Sequence, residues 1–338
     1  MKKPLVRRLE PDTSQKLRCG MQAAFLLLNL WIGAQFYLFV RQFETGNITG
    51  WSRPAGVEGW LPIAGMMNTK YWLQTGEVPV IHPAAMVLFV TFLLVSLLFR
   101  KAFCGWLCPI GAISEALWKL GRETFKRNFV LPRWIDLPLR SLKYILLGLF
   151  LYAVGTMAAP DIAAFLYSPY GIVADVQMLN FFRYLGPTAA VTLIVLVLAS
   201  VLVRNAWCRY LCPYGALMGF ASAPSPLRIW RNEERCIDCA KCAKACPSSL
   251  AVDKLVQIRT VECIGCLECV AVCPADDALG VSFVHKRRYL HPRAIAAGVA
   301  LVFLGITGAA KLTNHWDSPI PNQMYERLIP QAQDFRHP

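Results

Sequence analysis

Charge is scarce in this sequence. Asp, Glu, Lys and Arg make up 17% of its 338 residues, where a soluble domain carries about a quarter. Hydrophobic residues make up 56% and the mean hydropathy is +0.41. An ordinary soluble fold is excluded, and a membrane protein is expected. Acidic residues are the scarcer sign: 21 against 35 Lys and Arg, a net charge of +14. Such an excess could serve nucleic acid, but no nucleic-acid-binding motif accompanies it, so no nucleic-acid partner is expected. Basic cytoplasmic loops account for it instead. No DNA-binding or signalling module is visible, which leaves a redox or oxygen sensor without an output. What the sequence has in excess is cysteine, thirteen in all. Eight fall in two tight clusters and four in two matched pairs. That is ligand spacing, not the scatter of a disulfide framework.

A membrane span needs about 20 mostly apolar residues. Five runs are candidates, roughly 21–40, 83–99, 140–158, 187–203 and 294–310. The last is short and rich in Ala and Gly, which let helices approach closely in lipid. The first is too long for a signal peptide and lacks a convincing small-residue cleavage site, so it is expected to stay as an anchor. Lys and Arg alternate between the runs: six in 1–20, three in 41–81 matched by three Glu, seven in 100–138, one in 159–186, thirteen in 204–293 and three from 311 onward. This bias predicts a cytoplasmic N-terminus and an extracytoplasmic C-terminus. The fold class expected is an α-helical membrane protein of about five transmembrane helices with an inserted α+β ferredoxin domain. Its parts are a cytoplasmic segment 1–20, a four-helix membrane domain 21–227, a cytoplasmic ferredoxin domain 228–288, a fifth helix 289–310 and an extracytoplasmic tail 311–338.

The phrase LVSLLFRKAFCGWLCPIGA at 94–112 returns as LASVLVRNAWCRYLCPYGA at 198–216. Cys104 recurs as Cys208, Cys108 as Cys212, Pro109 as Pro213, Gly111 as Gly215, Arg100 as Arg204 and Pro83 as Pro187. Both copies run the same way through the membrane, as a parallel repeat. Two-fold packing of the second and fourth spans would gather the four thiols at one depth, at the cytoplasmic edge. Pro after Cys108 and Cys212 marks a helix start, whose free N–H groups would lower the thiol pKa. Cysteines can also simply pack as small hydrophobes. Cys104, Cys108, Cys208 and Cys212 are therefore candidates for a further metal or iron–sulfur centre, or for a reversible dithiol.

Residues 236–247 read CIDCAKCAKACP and residues 263–274 read CIGCLECVAVCP. Both are C-x2-C-x2-C-x3-C-P, the run that holds 4Fe–4S clusters and sends its fourth cysteine to the other cluster. One cluster is assigned to Cys236, Cys239, Cys242 and Cys273, the other to Cys263, Cys266, Cys269 and Cys246. Zinc also takes C-x2-C spacing, but rarely with three spacings and a Pro, twice over. Ala243, Ala245 and Gly265 leave room for backbone N–H groups near cluster sulfurs. Lys241, Lys244 and Arg235 flank the first motif; Glu262, Glu268, Asp276 and Asp277 flank the second. Charge then predicts a higher potential for the first cluster, unless these are ordinary solvated charges. Weaker signals are His82, an interfacial histidine or a quinone or haem contact; the basic run His285–Arg288 before the fifth span; and Cys19, read as structural.

FCGWLCPIGA, WCRYLCPYGALMG and the twin ferredoxin runs in one five-span chain resemble the membrane-bound polyferredoxins. These include NapH-type quinol dehydrogenase subunits, the membrane half of NosR-type proteins and the CcoG group. The likeness to YccM-type electron transport proteins covers nearly the whole chain, including GVEGWLPIAGMMNTKYWL at 56–73 and YERLIPQAQDFRHP at its end. The resemblance implies a bacterial inner-membrane electron carrier, exchanging electrons between its clusters and quinone or a partner redox protein, with a periplasmic C-terminus. Unlike NosR-type proteins, the chain is expected to carry no large extracytoplasmic flavin domain before its first span. The CcoG likeness implies a metal reductase instead, with thiolates binding a soft cation such as copper.

Overall fold

A computed structural model describes residues 7–8, 12–283 and 289–337; the run His285–Arg288 lies outside them. The order of elements is α1 (Ser14–Thr45), a 3-10 turn (Ala55–Trp60), α2 (Pro62–Thr75), α3 (Pro83–Leu98), a π-helical turn (Phe103–Leu107), α4 (Pro109–Phe125), α5 (Arg133–Thr156), α6 (Ala159–Leu166), α7 (Pro169–Ile172), α8 (Ala174–Arg183), α9 (Pro187–Leu202), a second π-helical turn (Trp207–Leu211), α10 (Pro213–Ala221), β1 (Leu227–Arg231), α11 (Lys241–Ala245), α12 (Glu268–Ala271), β2 (Leu279–Phe283), α13 (Pro292–Leu312) and α14 (Asn322–Leu328). Proline opens α2, α3, α4, α7, α9, α10 and α13, where its missing N–H leaves no helical bond unmade.

Among the described residues three helices, α1, α5 and α13, are long and apolar enough to cross a membrane by themselves. A fourth span arises if α8 and α9, bent by 80°, count as one. The repeat helices α3 and α9 are each 16 residues, about 24 Å at 1.5 Å per residue against an apolar core of about 30 Å. Both end within one residue of the apolar runs 83–99 and 187–203, where the chain turns sharply. Arg100 and Lys101 take φ +58° and Asn205 φ +50°, a left-handed conformation that ends a helix in a non-glycine residue. The π-helical turns follow at once, closed by Cys108 N–H to Phe103 O (2.8 Å) and Cys212 N–H to Trp207 O (3.1 Å).

The chain divides into two compact units. The first comprises residues 1–26, 92–147 and 195–303; the second 27–91, 148–194 and 304–338. Within the first, β1 and β2 pair antiparallel, with Leu227 opposite Phe283 and Arg231 opposite Leu279, enclosing both ferredoxin motifs in sequence. Leu227, Ile229, Leu279 and Val281 are buried. Also within it, α4 packs against the second π-helical turn and α10 against the first. That reciprocity is what a two-fold repeat produces.

The second unit is built on α2, which packs on α6, and on a core including Phe36, Phe39, Met67, Ile81, Val154, Leu166 and Ile329. Inside it lies a buried ionic network. Arg53 donates to Asp175 (2.6 Å) and Glu58 (2.8 Å). His82 Nδ1 meets Glu58 at 3.3 Å and Nε2 meets Gly171 O at 2.8 Å. Glu58 also accepts the Ala85 N–H in the first turn of α3, at 3.0 Å.

Candidate iron–sulfur and thiol sites

Each ferredoxin motif shapes its loop in the same way. Asp238 and Ala240 in the first, Gly265 and Leu267 in the second, take φ between +55° and +61°. Alternation of right- and left-handed residues turns successive N–H groups into a concavity that receives anionic atoms. The Ala243 N–H faces the Cys242 sulfur and the Glu268 N–H faces the Cys266 sulfur. Only Gly265 of the four left-handed positions adopts this conformation freely; the other three carry no signal in composition.

The structure brings the second thiol set together. Cys246, Cys263, Cys266 and Cys269 line one pocket, with Ile229, Pro247, Leu250, Val252, Ile258 and Ile264. Cys246 comes from the first motif, so the crossing of fourth cysteines is visible in the geometry. The first set gathers too: Cys242 lies in electrostatic range of Cys236 and Cys273, and Cys273 of Cys236 and Cys239. The sets adjoin, because Cys242 lies within the same range of Cys269. Burial pushes Cys242 up to about 11 and raises Cys246, Cys266, Cys269 and Cys273 as well. Metal ligation requires thiolates, so loading such sites releases protons. Among the described residues, no three His, Cys, Asp or Glu side chains converge as ligands of a single ion; a cubane carries its thiolates on four separate irons and spreads them wider. Four thiols in an apolar cavity ringed by backbone N–H groups fit such a group.

Two of the acids beside the second motif, Glu262 and Glu268, are paired. Glu262 accepts from Lys143 (2.6 Å) and Tyr144 (2.5 Å). Glu268 meets Arg18 at 3.0 Å and Lys119 at 3.3 Å. The sequence tally of acidic residues around the second motif therefore overstates its negative field. Arg18, fully buried, also forms a bidentate pair with Glu115 at 2.5 and 2.6 Å. Burial alone would raise Glu115, but Arg18 and Lys119 outweigh it and hold the carboxyl near 2. Nothing in the local sequence pairs residues 18, 115 and 268; the signal available was only that charge is rare here.

Cys104, Cys108, Cys208 and Cys212 act on one another electrostatically, so the repeat does gather its four thiols. Cys108 and Cys212 cap α4 and α10, their sulfurs accepting the Gly111 and Gly215 N–H at 3.4 and 3.2 Å. The expected helix starts are there, but the expected thiolate stabilisation is overridden. Burial pushes Cys104 up to about 11, against Lys101 and Lys143, raises Cys208, and raises Cys108 and Cys212 despite their capping N–H groups. Desolvation wins because it acts on the whole charge, whereas the helix end offers partial charges. Tyr214, missed in the sequence, stands within range of three of these thiols. His82 is buried among Glu58, Arg53 and Gly171 rather than interfacial, and Cys19 is exposed rather than packed.

Residues 81–128 and again 185–231 match the 4Fe-4S binding domain family, at the spacing of the repeat, and residues 228–280 match the 4Fe-4S dicluster domain family. The chain is 49% identical over 95% of its length to YccM of Escherichia coli strain K12, for which electron transport is the proposed role, covering 91% of that protein. It is 32% identical over 46% of its length to the regulatory protein NosR of Pseudomonas aeruginosa, covering 22% of NosR. It is 25% identical over 55% of its length to the ferredoxin-type protein NapH of Escherichia coli, covering 61% of NapH. No solved structure matches it.

Proposed function

Because the chain belongs to the polyferredoxin-type electron transport family of YccM, we propose that it is a membrane-anchored iron–sulfur protein. It exchanges electrons between its ferredoxin segment, the four thiols of the repeat, and quinone or a partner redox protein. Cys236, Cys239, Cys242 and Cys273 hold one 4Fe–4S cluster; Cys246, Cys263, Cys266 and Cys269 hold the other. When bound, these clusters supply one-electron transfer. The observation that carries the reading is the cavity lined by Cys246 together with Cys263, Cys266 and Cys269. Cys104, Cys108, Cys208 and Cys212 form the further site, metal-bound or dithiol.

Five spans in a bacterial inner membrane go with this reading, with the N-terminus and ferredoxin segment cytoplasmic and the C-terminus periplasmic. Supporting this, α1, α3, α5, α9 and α13 each begin in one unit and end in the other. The Lys- and Arg-rich segments 1–20, 100–138 and 204–293 all belong to the first unit.

Anaerobic purification tests the proposal. About eight irons and eight sulfides per chain are expected, with clusters that a quinone analogue oxidises or a quinol reduces, and loss of that exchange in Cys236→Ser and Cys263→Ser. Zinc in place of iron and sulfide would overturn it. Tight copper, reduced to Cu(I) only when the clusters are present, would select metal reduction instead.

A further inference from the structure

The two ferredoxin thiol sets are alike in sequence and unlike in their surroundings. Cys246, Cys263, Cys266 and Cys269 are 5–8% exposed. Cys239 is exposed, and Cys236, Cys242 and Cys273 are half-buried. What covers the second set is the repeat. Its first copy holds residues 258–265: Arg100 donates to Ile258 O (2.7 Å) and Thr260 O (2.8 Å), Lys101 to Val261 O (3.4 Å), and Trp106 Nε1 to Gly265 O (3.0 Å). Its second copy holds residues 244–249: Arg204 donates to Lys244 O (2.7 Å) and Arg209 to Ser249 Oγ (3.0 Å). Repeat-related arginines thus grip the two chain segments that deliver the second set's thiols, Cys246 on one and Cys263 with Cys266 on the other.

The approach is backbone to backbone. A Cβ at Gly105, between Cys104 and Cys108, would overlap Ile264 O; a Cβ at Gly265 would lie 2.8 Å from Arg100 O. From α1, Gln15 Nε2 donates to Cys266 O (2.9 Å), while Gln22 Nε2 donates to Gly105 O (3.1 Å). Among the described residues, the repeat loops reach the first set's segments only where Arg204 meets Lys244 O, two residues after Cys242. Its neighbours include Arg231 of β1, beside Cys236, and Arg8, in range of Cys273. The surface about Cys239 carries Arg235, Asp238, Lys241 and Lys244, all exposed and of both signs.

We infer that the two Cys-x3-Cys loops clamp the second thiol set as the inner face of the ferredoxin segment, and that the first set is the face on which a soluble one-electron carrier protein docks. The inference rests on the reading of both sets as cluster sites. Exposed charge at Arg235, Asp238, Lys241 and Lys244 suits the small, transient interfaces of electron-transfer encounters, under about 1,200 Å².

The test uses the full chain in detergent, anaerobically, with bathophenanthroline disulfonate as a water-soluble iron chelator and mass spectrometry of alkylated cysteines. Iron is expected to leave in two equal phases at least tenfold apart in rate. Cys236, Cys239, Cys242 and Cys273 should be alkylated in the fast phase. A single phase, or earlier alkylation of Cys246, Cys263, Cys266 and Cys269, overturns the inference. Gly105→Val should accelerate the slow phase at least fivefold and leave the fast phase unchanged; equal acceleration of both overturns the clamp. Should that variant not accumulate, Trp106→Phe, which removes the bond to Gly265 and part of the buried indole, carries the same expectation at smaller amplitude. With reduced flavodoxin, an acidic soluble protein, as the docking probe at low salt, Lys241→Glu should slow cluster reduction at least threefold; an unchanged rate overturns the docking face. A chain without iron would defeat the proposed function, while the alkylation order of its bare thiols would still decide the clamp.

Discussion

In the second unit, Arg53 stands between Asp175 and Glu58, and His82 completes the group; all four side chains are at most 9% exposed. In the first unit, Cys104, Cys108, Cys208 and Cys212 are raised by burial with two lysines in range. Both regions take polar groups out of water, yet the first relies on neutral thiols and the second on mutually compensated charge. A buried charge is tolerated only with its partner, and in the second unit each charge of the network has one. A buried thiol is stable while protonated and becomes a ligand on losing its proton. Burial of ionisable groups therefore does not by itself mark a redox site; the kind of group decides.

Removing one partner from the compensated network should show the largest effect. Asp175→Asn leaves Arg53 partly unpaired and should cost about 3–5 kcal/mol, read as a lowered thermal midpoint in detergent, while the iron content per folded chain stays unchanged. Equal loss of iron would erase the contrast between the units. Glu115→Gln comes next. Arg18 and Lys119 keep Glu268 as a partner, so about 1.5–3 kcal/mol is expected, the range for hydrogen bonds to charged groups. Because Arg18 also contacts Gly105 O, this variant should raise alkylation of Cys266 as well.

A smaller effect follows pH. Burial alone would raise Glu58, but Arg53 and His82 hold it below its ordinary 4.5. Burial alone would lower His82, but Glu58 and Asp175 raise it above 6.5. The Glu58 contribution is complete above pH 4.5 and fades as pH falls through its depressed value. The His82 contribution is complete below pH 6.5 and fades as pH rises through its elevated value. Local stability of α2 and α3, read by hydrogen exchange, should therefore peak between pH 4.5 and 6.5 and lose its alkaline fall in His82→Gln. The smallest effect belongs to Cys19→Ser. An exposed thiol outside every site should shift stability by no more than about 0.5 kcal/mol and leave iron unchanged.

Local covalent spacing was enough to read the two C-x2-C-x2-C-x3-C-P runs, the repeat of Cys104 and Cys108 as Cys208 and Cys212, and the helix starts at Pro109 and Pro213. These are short-range patterns, and backbone geometry transmits them directly. Hydropathy placed the ends of α3 and α9 to within one residue, but it does not register the left-handed turns at Arg100, Lys101 and Asn205 that follow them. The dominance of desolvation over the helix end at Cys108, the grouping of Arg18 with Glu115 and Glu268, and the enclosure of His82 were decided only by tertiary structure. Each depends on which distant segments exclude water from a group, and that is a property of packing which no interval along the chain encodes.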